Sequence, residues 1–568
     1  MKVSNNGQMP PESPSAVTGC PPEEILGPNP FIGLRPQDIF AAAHQVGAQA
    51  FRQPTLVLEQ EAALARELLS VLSGEVKADP PPGDKRFADS AWRDNPFYRM
   101  YLQGYLAWGR ALTGFVDRSA LEPKTKERAN FVVSLLTDAL APTNTLLGNP
   151  AALKKIVDSG GASLVAGLQN MLADLAKNKG MPAQVDKRAF RVGENLALSP
   201  GAVVFRNELL ELIQYAPSTP DVYERPHLIV PPQINKFYIF DLSPGKSIVE
   251  YLVQSRFQVF VVSWRNPTPA QRNWDMQTYV VALLEAIEAI REITKAEDVN
   301  LHGACSGAMT LSALLGNLAA QRRRLVNAAT LMVAVLDSSA QSQLGLFATP
   351  EAISAAKQNS AAKGVLEGQE MGRVFAWMRP NDLVWNYWVS NYLMGNTPPA
   401  FDILYWNNDT TRLAARFHAE LLDIFAANRF AKPGAIHILN TPLNLSEVDC
   451  DKFVVAGVTD HITPWKGVYN TSRIFGGTTE FVLSSSGHIQ SLINPPGNPK
   501  AKFYLSSKLP PDPEQWLAGA QPMSGSWWEH WRRWLEARSG NVRPASQTLG
   551  SKRYPQLEKA PGTYVTEP

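Results

Sequence analysis

Residues 299–320 read VNLHGACSGAMTLSALLGNLAA. A short apolar run leads into Gly303, Ala304, Cys305, Ser306 and Gly307, and a helical pattern follows at once. This is a G-x-S-x-G nucleophile elbow with cysteine in the place of the nucleophilic serine. The glycines are needed because so tight a turn from strand to helix brings two backbones together and leaves no space for Cβ atoms beside a strained residue. The competing reading is a buried structural cysteine in a glycine turn.

Outward from the elbow, HLIVPP, KFYIFDL, FQVFVVSW, ATLMVAVLD, FVVAGVTD and EFVLSSSGH read as strands. Helical segments such as MQTYVVALLEAIEAIREIT separate them, and this alternation predicts an α/β protein with a mainly parallel sheet. The strand signal lapses over about 338–450, where the aromatic and Asn-rich RPNDLVWNYWVSNYLMGNTPPAFDILYWNNDTTRL is expected to form a cap inserted over the carboxyl edge of the sheet. Three regions follow: a disordered leader over 1–30, rich in Pro, Ser, Asn and Gly; a helical N-terminal domain over 31–200; and a catalytic domain over 201–568.

Behind an elbow of this kind the acid and then the histidine come later in the chain, each on a loop after a strand. Asp460 ends FVVAGVTD and His488 follows EFVLSSSG, so Cys305, Asp460 and His488 form the expected set. Asp337 also closes an apolar run and competes for the acid role. His461, beside Asp460, reads as a supporting hydrogen-bond partner or an ordinary loop histidine. His227 and His302 fall at strand edges, and His44, His418, His437 and His530 read as ordinary polar residues. The oxyanion site should pair the backbone N–H of Ser306 with one from the loop HLIVPPQIN. Pro231 and Pro232 have none to give, which leaves Gln233 and Ile234, and Ile234 is preferred.

The chain has 568 residues, with 54 Lys plus Arg against 52 Asp plus Glu, so no basic surface large enough for a nucleic acid is available. At 45% hydrophobic residues and with 14 Trp, the whole chain is not disordered. Cys20, Cys305 and Cys450 make neither a disulfide framework nor a zinc site, no cofactor or metal motif is evident, and no apolar run is long enough to span a membrane. A cytoplasmic protein is expected.

PPQINKFYIFDLSPGKS, VSWRNPTPAQRNWD, HGACSGAM, DHITPWK, SSSGHIQSLINPPGNPK, SWWEHW and the aromatic insertion together resemble polyhydroxyalkanoate synthases, most nearly the class II, medium-chain type. The resemblance runs from GPNPFIGLR to PGTYV. It implies an α/β-hydrolase-fold catalytic domain under a mobile cap, a helical N-terminal domain, a homodimer, and attachment to the surface of cytoplasmic polyester granules. The implied substrate is (R)-3-hydroxyacyl-CoA, and the implied partner is the growing polyester chain. The family's nucleophile, acid and histidine fall on Cys305, Asp460 and His488. Its box usually ends in a second glycine, where this chain has Ala308, which puts rate or substrate range in question more than the reaction.

Cysteine suits such chemistry because exchange of a thioester with a thiolate keeps the acyl group activated for a later attack by a hydroxyl. The rivals are a thioesterase or cysteine-dependent lactone hydrolase of the same fold, and a non-catalytic granule coat protein. In SWWEHWRRWLEA, Trp527, Trp531 and Trp534 share one helical face, read as docking on the core. Arg265 and Arg272 are nearby basic candidates for the nucleotide end of CoA, the competing reading of each being solvated surface.

Overall fold

The structure is a computed structural model that describes residue 32 and residues 36–73, 79–81, 84–339 and 345–568. The expected leader and Cys20 lie outside the described residues. Five long helices open the described chain: α1 (Pro36–Arg52), α2 (Pro54–Ser73), α3 (Pro96–Arg118), α4 (Pro123–Ala139) and α5 (Ala162–Lys177). Proline at the first position of α3 and α4 costs no hydrogen bond there, and the Asn95 side chain caps α3 by accepting from the N–H groups of Phe97 and Tyr98. Their apolar stripes are only partly covered: Leu164, Val165, Leu168, Leu172 and Leu175 of α5 remain exposed.

The catalytic half is built on a sheet of eleven strands among the described residues. In chain order they are β1 (Gly201–Arg206), β2 (Leu210–Tyr215), β3 (His227–Val230), β4 (Val259–Trp264), β5 (Val299–Ala304), β6 (Val326–Met332), β7 (Asp451–Gly457), β8 (Thr479–Ser484), β9 (Lys502–Leu505), β10 (Gln521–Ser524) and β11 (Glu558–Lys559). Their spatial order is β10-β9-β8-β7-β6-β5-β3-β4-β2-β1-β11. The six from β8 to β4 are parallel, with antiparallel strands added at both edges. Every residue of β3, β4 and β5 is buried, as expected for strands covered on both faces.

One face carries α6 (Met276–Thr294) and α7 (Ser306–Ala320), and their apolar side chains join one core cluster. The other face carries Phe237–Phe240 and the Trp-rich helix Trp527–Glu536, where Trp527, Trp528, Trp531 and Trp534 are all buried. The tryptophan face therefore docks on the sheet. No helix of the described residues is long and apolar enough to cross a membrane.

Between β6 and β7 lies the insertion, with helices α8 (Pro350–Lys363), α9 (Gly368–Met378) and α10 (Ala415–Ala427) and two π-helical turns, Asn381–Trp385 and Trp388–Leu393. It sits against the loop after β3: Trp406 Nε1 donates to the Lys236 carbonyl at 2.7 Å, and Tyr238 OH donates to Asp409 Oδ2 at 2.8 Å. The N-terminal helices rest on the insertion in turn. Asn170 Nδ2 donates to the Asn391 and Asn396 carbonyls at 3.0 Å, and Tyr392 OH reaches Asp174 Oδ2 at 2.9 Å. Gly167 is required at this crossing, since a Cβ there would lie 2.0 Å from the Tyr392 carbonyl oxygen.

Four readings change. KFYIFDL is not a strand: Phe237–Phe240 forms a 3-10 turn with all four side chains buried, a case in which an unbroken apolar run reflects burial and not extension. ATLMVAVLD stops being strand at Met332, because Val333 turns the chain at φ +44°, so Asp337 lies beyond the strand end. His227 and His302 are not peripheral. They are fully buried on neighbouring strands, 3.5 Å apart between His227 Nε2 and His302 Nδ1, and burial pushes the His227 pKa down to about 3. His418 is likewise buried, with Nδ1 2.9 Å from Ser360 Oγ.

Candidate active site

Parallel strands present their carboxyl ends at one edge, and loops leaving that edge converge where the strand order changes direction. Cys305 follows β5 directly, with φ +50° and ψ −124°. For a non-glycine residue this is a strained conformation, maintained only because the surroundings fix it. The Cys305 N–H donates to the Met332 carbonyl on β6 at 2.9 Å. On one flank, a Cβ on Gly303 would lie 2.8 Å from Ala308 Cα and 2.7 Å from Leu311 Cδ1. On the other, a Cβ on Gly307 would lie 2.5 Å from the carbonyl oxygens of Val230 and Pro231. The Ala308 methyl is accommodated within the core, fully buried.

The acid and the imidazole arrive from β7 and β8. His488 Nδ1 is 2.7 Å from Asp460 Oδ2, with both side chains buried. Asp460 Oδ1 accepts from the N–H groups of Ile462 at 2.8 Å and Thr463 at 2.9 Å, and Oδ2 accepts the Thr463 hydroxyl at 2.7 Å. Cys305 lies near enough to His488 to act on its imidazole electrostatically. Because Nδ1 faces Asp460, Nε2 is the nitrogen left for sulfur.

The electrostatics follow from this seclusion. Burial opposes charge on His488, yet the Asp460 carboxylate and the neighbouring Cys305 carry its pKa up to about 10. Burial likewise opposes ionisation of Asp460, but the His488 charge and the donors on Ile462 and Thr463 hold it below the usual carboxylate range.

Asp337 is placed elsewhere. Its Oδ1 accepts from the Ser339 N–H at 2.9 Å and Asn428 Nδ2 at 2.8 Å, a turn-stabilising role with no imidazole hydrogen-bonded to it among the described residues. Burial pushes the His461 pKa down to about 4, and its Nδ1 has no hydrogen-bond partner among the described residues. The loop after β3 lies against the start of α7: the Gln233 N–H donates to Ser306 Oγ at 3.1 Å. That bond occupies Gln233 and leaves the Ile234 N–H, of the two donors considered, without a protein acceptor among the described residues. Thr463 was not visible as a participant from sequence. Its only signal is its place three residues after Asp460, where a hydroxyl and an N–H can both close back on a carboxylate.

The parallel sheet, the strained elbow and the later acid and imidazole define a protein of the α/β-hydrolase class, and residues 226–495 match the family model described as alpha/beta hydrolase fold. Residues 83–252 match the model of the poly-beta-hydroxybutyrate polymerase (PhaC) N-terminus. The chain is 52% identical to poly(3-hydroxyalkanoate) polymerase 1 of Ectopseudomonas oleovorans, covering 96% of this chain and 97% of that protein. It is 51% identical to poly(3-hydroxyalkanoate) polymerase 2 of the same organism, covering 94% and 96%. Against the poly(3-hydroxyalkanoate) polymerase subunit PhaC of Cupriavidus necator it is 39% identical, covering 87% and 85%. The chain belongs to the poly(3-hydroxyalkanoate) polymerase family.

Proposed function

We propose that this protein polymerises (R)-3-hydroxyacyl-CoA into polyester with release of CoA, through a thioester on Cys305. The observation that carries the reading is the cysteine held at a positive-φ elbow beside His488, whose Nδ1 is fixed 2.7 Å from Asp460. His488 Nε2 takes the Cys305 proton, the thiolate attacks the substrate carbonyl, and the CoA thiolate leaves with that proton. The 3-hydroxyl of an incoming acyl unit then gives its proton to His488 and attacks the Cys305 thioester. A carbon–oxygen bond forms, the carbon–sulfur bond breaks, and the thiolate returns. Asp460 holds the tautomer and offsets the imidazolium charge. The N–H groups of Ser306 and Ile234 are the donors for the tetrahedral oxyanion. His461, neutral by burial and adjacent to Asp460, is assigned a supporting place beside the acid.

Water must be excluded for ester formation to outrun hydrolysis, which suits an aromatic insertion resting on the loop after β3. The wider reading places a homodimer at the surface of cytoplasmic polyester granules. Incubation of purified protein with (R)-3-hydroxyacyl-CoA should release thiol and leave precipitating polymer, both abolished by Cys305→Ala. Stoichiometric free hydroxy acid would identify a hydrolase instead, and full function of the alanine variant would identify a coat protein.

A further inference from the structure

A peptide bond has a carbonyl on one side and an N–H on the other, held in one plane, so fixing the carbonyl fixes the direction of the N–H. The peptide between Gln233 and Ile234 carries the N–H assigned above to the oxyanion. Its carbonyl accepts the hydroxyl of Thr411, from the insertion, at 2.6 Å. Thr411 is buried, and its own N–H donates to the Ile234 carbonyl at 3.3 Å, beside an antiparallel bridge between Asn235 and Thr410. The insertion thus runs along the oxyanion loop as a short extra strand. Gly368 at the start of α9 allows this approach, because a Cβ there would lie 2.4 Å from the Thr411 carbonyl oxygen.

Gln233 is also held by the nucleophile helix. Its N–H goes to Ser306 Oγ at 3.1 Å, and its Nε2 goes to Thr310 Oγ1 at 2.9 Å. Ser306, Thr310, Gln233 and Thr411 are all buried, so these bonds form in a low dielectric, where a donor on a carbonyl also polarises the N–H at the far end of the same amide.

We propose that Thr411 is a positioning residue for the oxyanion site: by hydrogen-bonding the Gln233 carbonyl, it orients and polarises the peptide that presents the Ile234 N–H. Through it the insertion completes the site. This inference rests on the oxyanion reading given under the proposed function. Thr411→Val keeps the shape and removes the hydroxyl, whereas Thr411→Ser keeps the hydroxyl.

The test compares thiol release from (R)-3-hydroxyacyl-CoA with alkylation of Cys305 by iodoacetamide. Alkylation needs the thiolate but forms no tetrahedral oxyanion. Thr411→Val should lower kcat by about 10-fold with KM unchanged, less than complete removal of a donor would cost. Its alkylation rate should equal that of the unaltered protein, and Thr411→Ser should return kcat to within about 2-fold, because serine can make the same bond. Equal slowing of alkylation and turnover, an unchanged kcat in Thr411→Val, or failure of serine to rescue would each overturn the proposal. Ile234→Pro deletes the N–H itself. If that variant transfers acyl groups at the unaltered rate, the oxyanion reading fails regardless of Thr411; if it is slow while Thr411→Val is not, only the role of Thr411 fails.

Discussion

Replacing Asp460 by asparagine changes one atom, and the surroundings determine which way the new amide faces. Two backbone N–H groups, from Ile462 and Thr463, point at the Oδ1 position at 2.8 and 2.9 Å and need an acceptor there. The amide oxygen is held on that side, and the NH2 takes the Oδ2 position, 2.7 Å from His488 Nδ1. Turning the amide over would set its NH2 against both N–H groups and leave two buried bonds unmade, at about 1–3 kcal/mol each. Instead, His488 Nδ1 must accept, and the ring proton moves to Nε2, the nitrogen required to take the proton from Cys305. Loss of the right tautomer, together with the charge that offsets the imidazolium, is expected to lower kcat for thiol release by about 10³ to 10⁴. Saturating (R)-3-hydroxyacyl-CoA with thiol release followed over time measures this. A loss smaller than about 10-fold would refute the assignment of both nitrogens.

Asp337→Asn, in contrast, should leave kcat within about 3-fold, since Asp337 only closes a turn with Ser339 and Asn428; a larger loss than in Asp460→Asn would move the acid role. Cys305→Ser should lose at least about 100-fold in thiol release, because a hydroxyl is the weaker nucleophile and its ester is less reactive. Gly303→Ala should destabilise the fold by about 1–3 kcal/mol in urea titration, the cost of forcing a methyl into a packed contact, because its Cβ would meet the Ala308 backbone at 2.8 Å. The pH dependence of stability should report the buried pair. Folding raises the His488 pKa from 6.5 to about 10, so its contribution is complete below 6.5 and is lost as pH rises through 10. Asp460 is shifted the other way, so its contribution is present above 3.8 and is lost on acidification through its lower folded value. The difference in Tm between the unaltered protein and Asp460→Asn should therefore be widest near about pH 5–6 and should narrow as pH rises through about 10, where the His488 contribution is lost and that of Asp460 remains.

The elbow was legible because its signal is local: a strand, two glycines around a cysteine and a helix lie within about twenty residues. Asp460 and His488 were legible for a related reason, since strands with a buried, continuous apolar text end just before them. The sheet's outer parts were not. GAVVFR and LELIQY pair antiparallel at one edge, and QPMS at the other is wholly exposed, so it carries no apolar pattern to read. Phe237–Phe240 misled because burial from all sides produces the same apolar run in a turn as in a strand. The roles of Thr463 and Thr411 depend on contacts across loops, and nothing in a threonine's immediate neighbours announces such a contact. Ile234 was preferred over Gln233 from the sequence, but the physical ground for it, the Ser306 hydroxyl that accepts the Gln233 N–H, is a contact that sequence order does not specify.

The insertion touches two things at once. Through Asn391, Tyr392 and Asn396 it grips α5, and through Trp406 and Thr411 it grips the loop beside the nucleophile. The helical half and the reacting sulfur are thus arranged in series, with the insertion as the intermediate link. Free-energy linkage across such a chain is reciprocal: a ligand that favours one placement of α5 is itself bound more tightly when acylation of Cys305 favours that same placement.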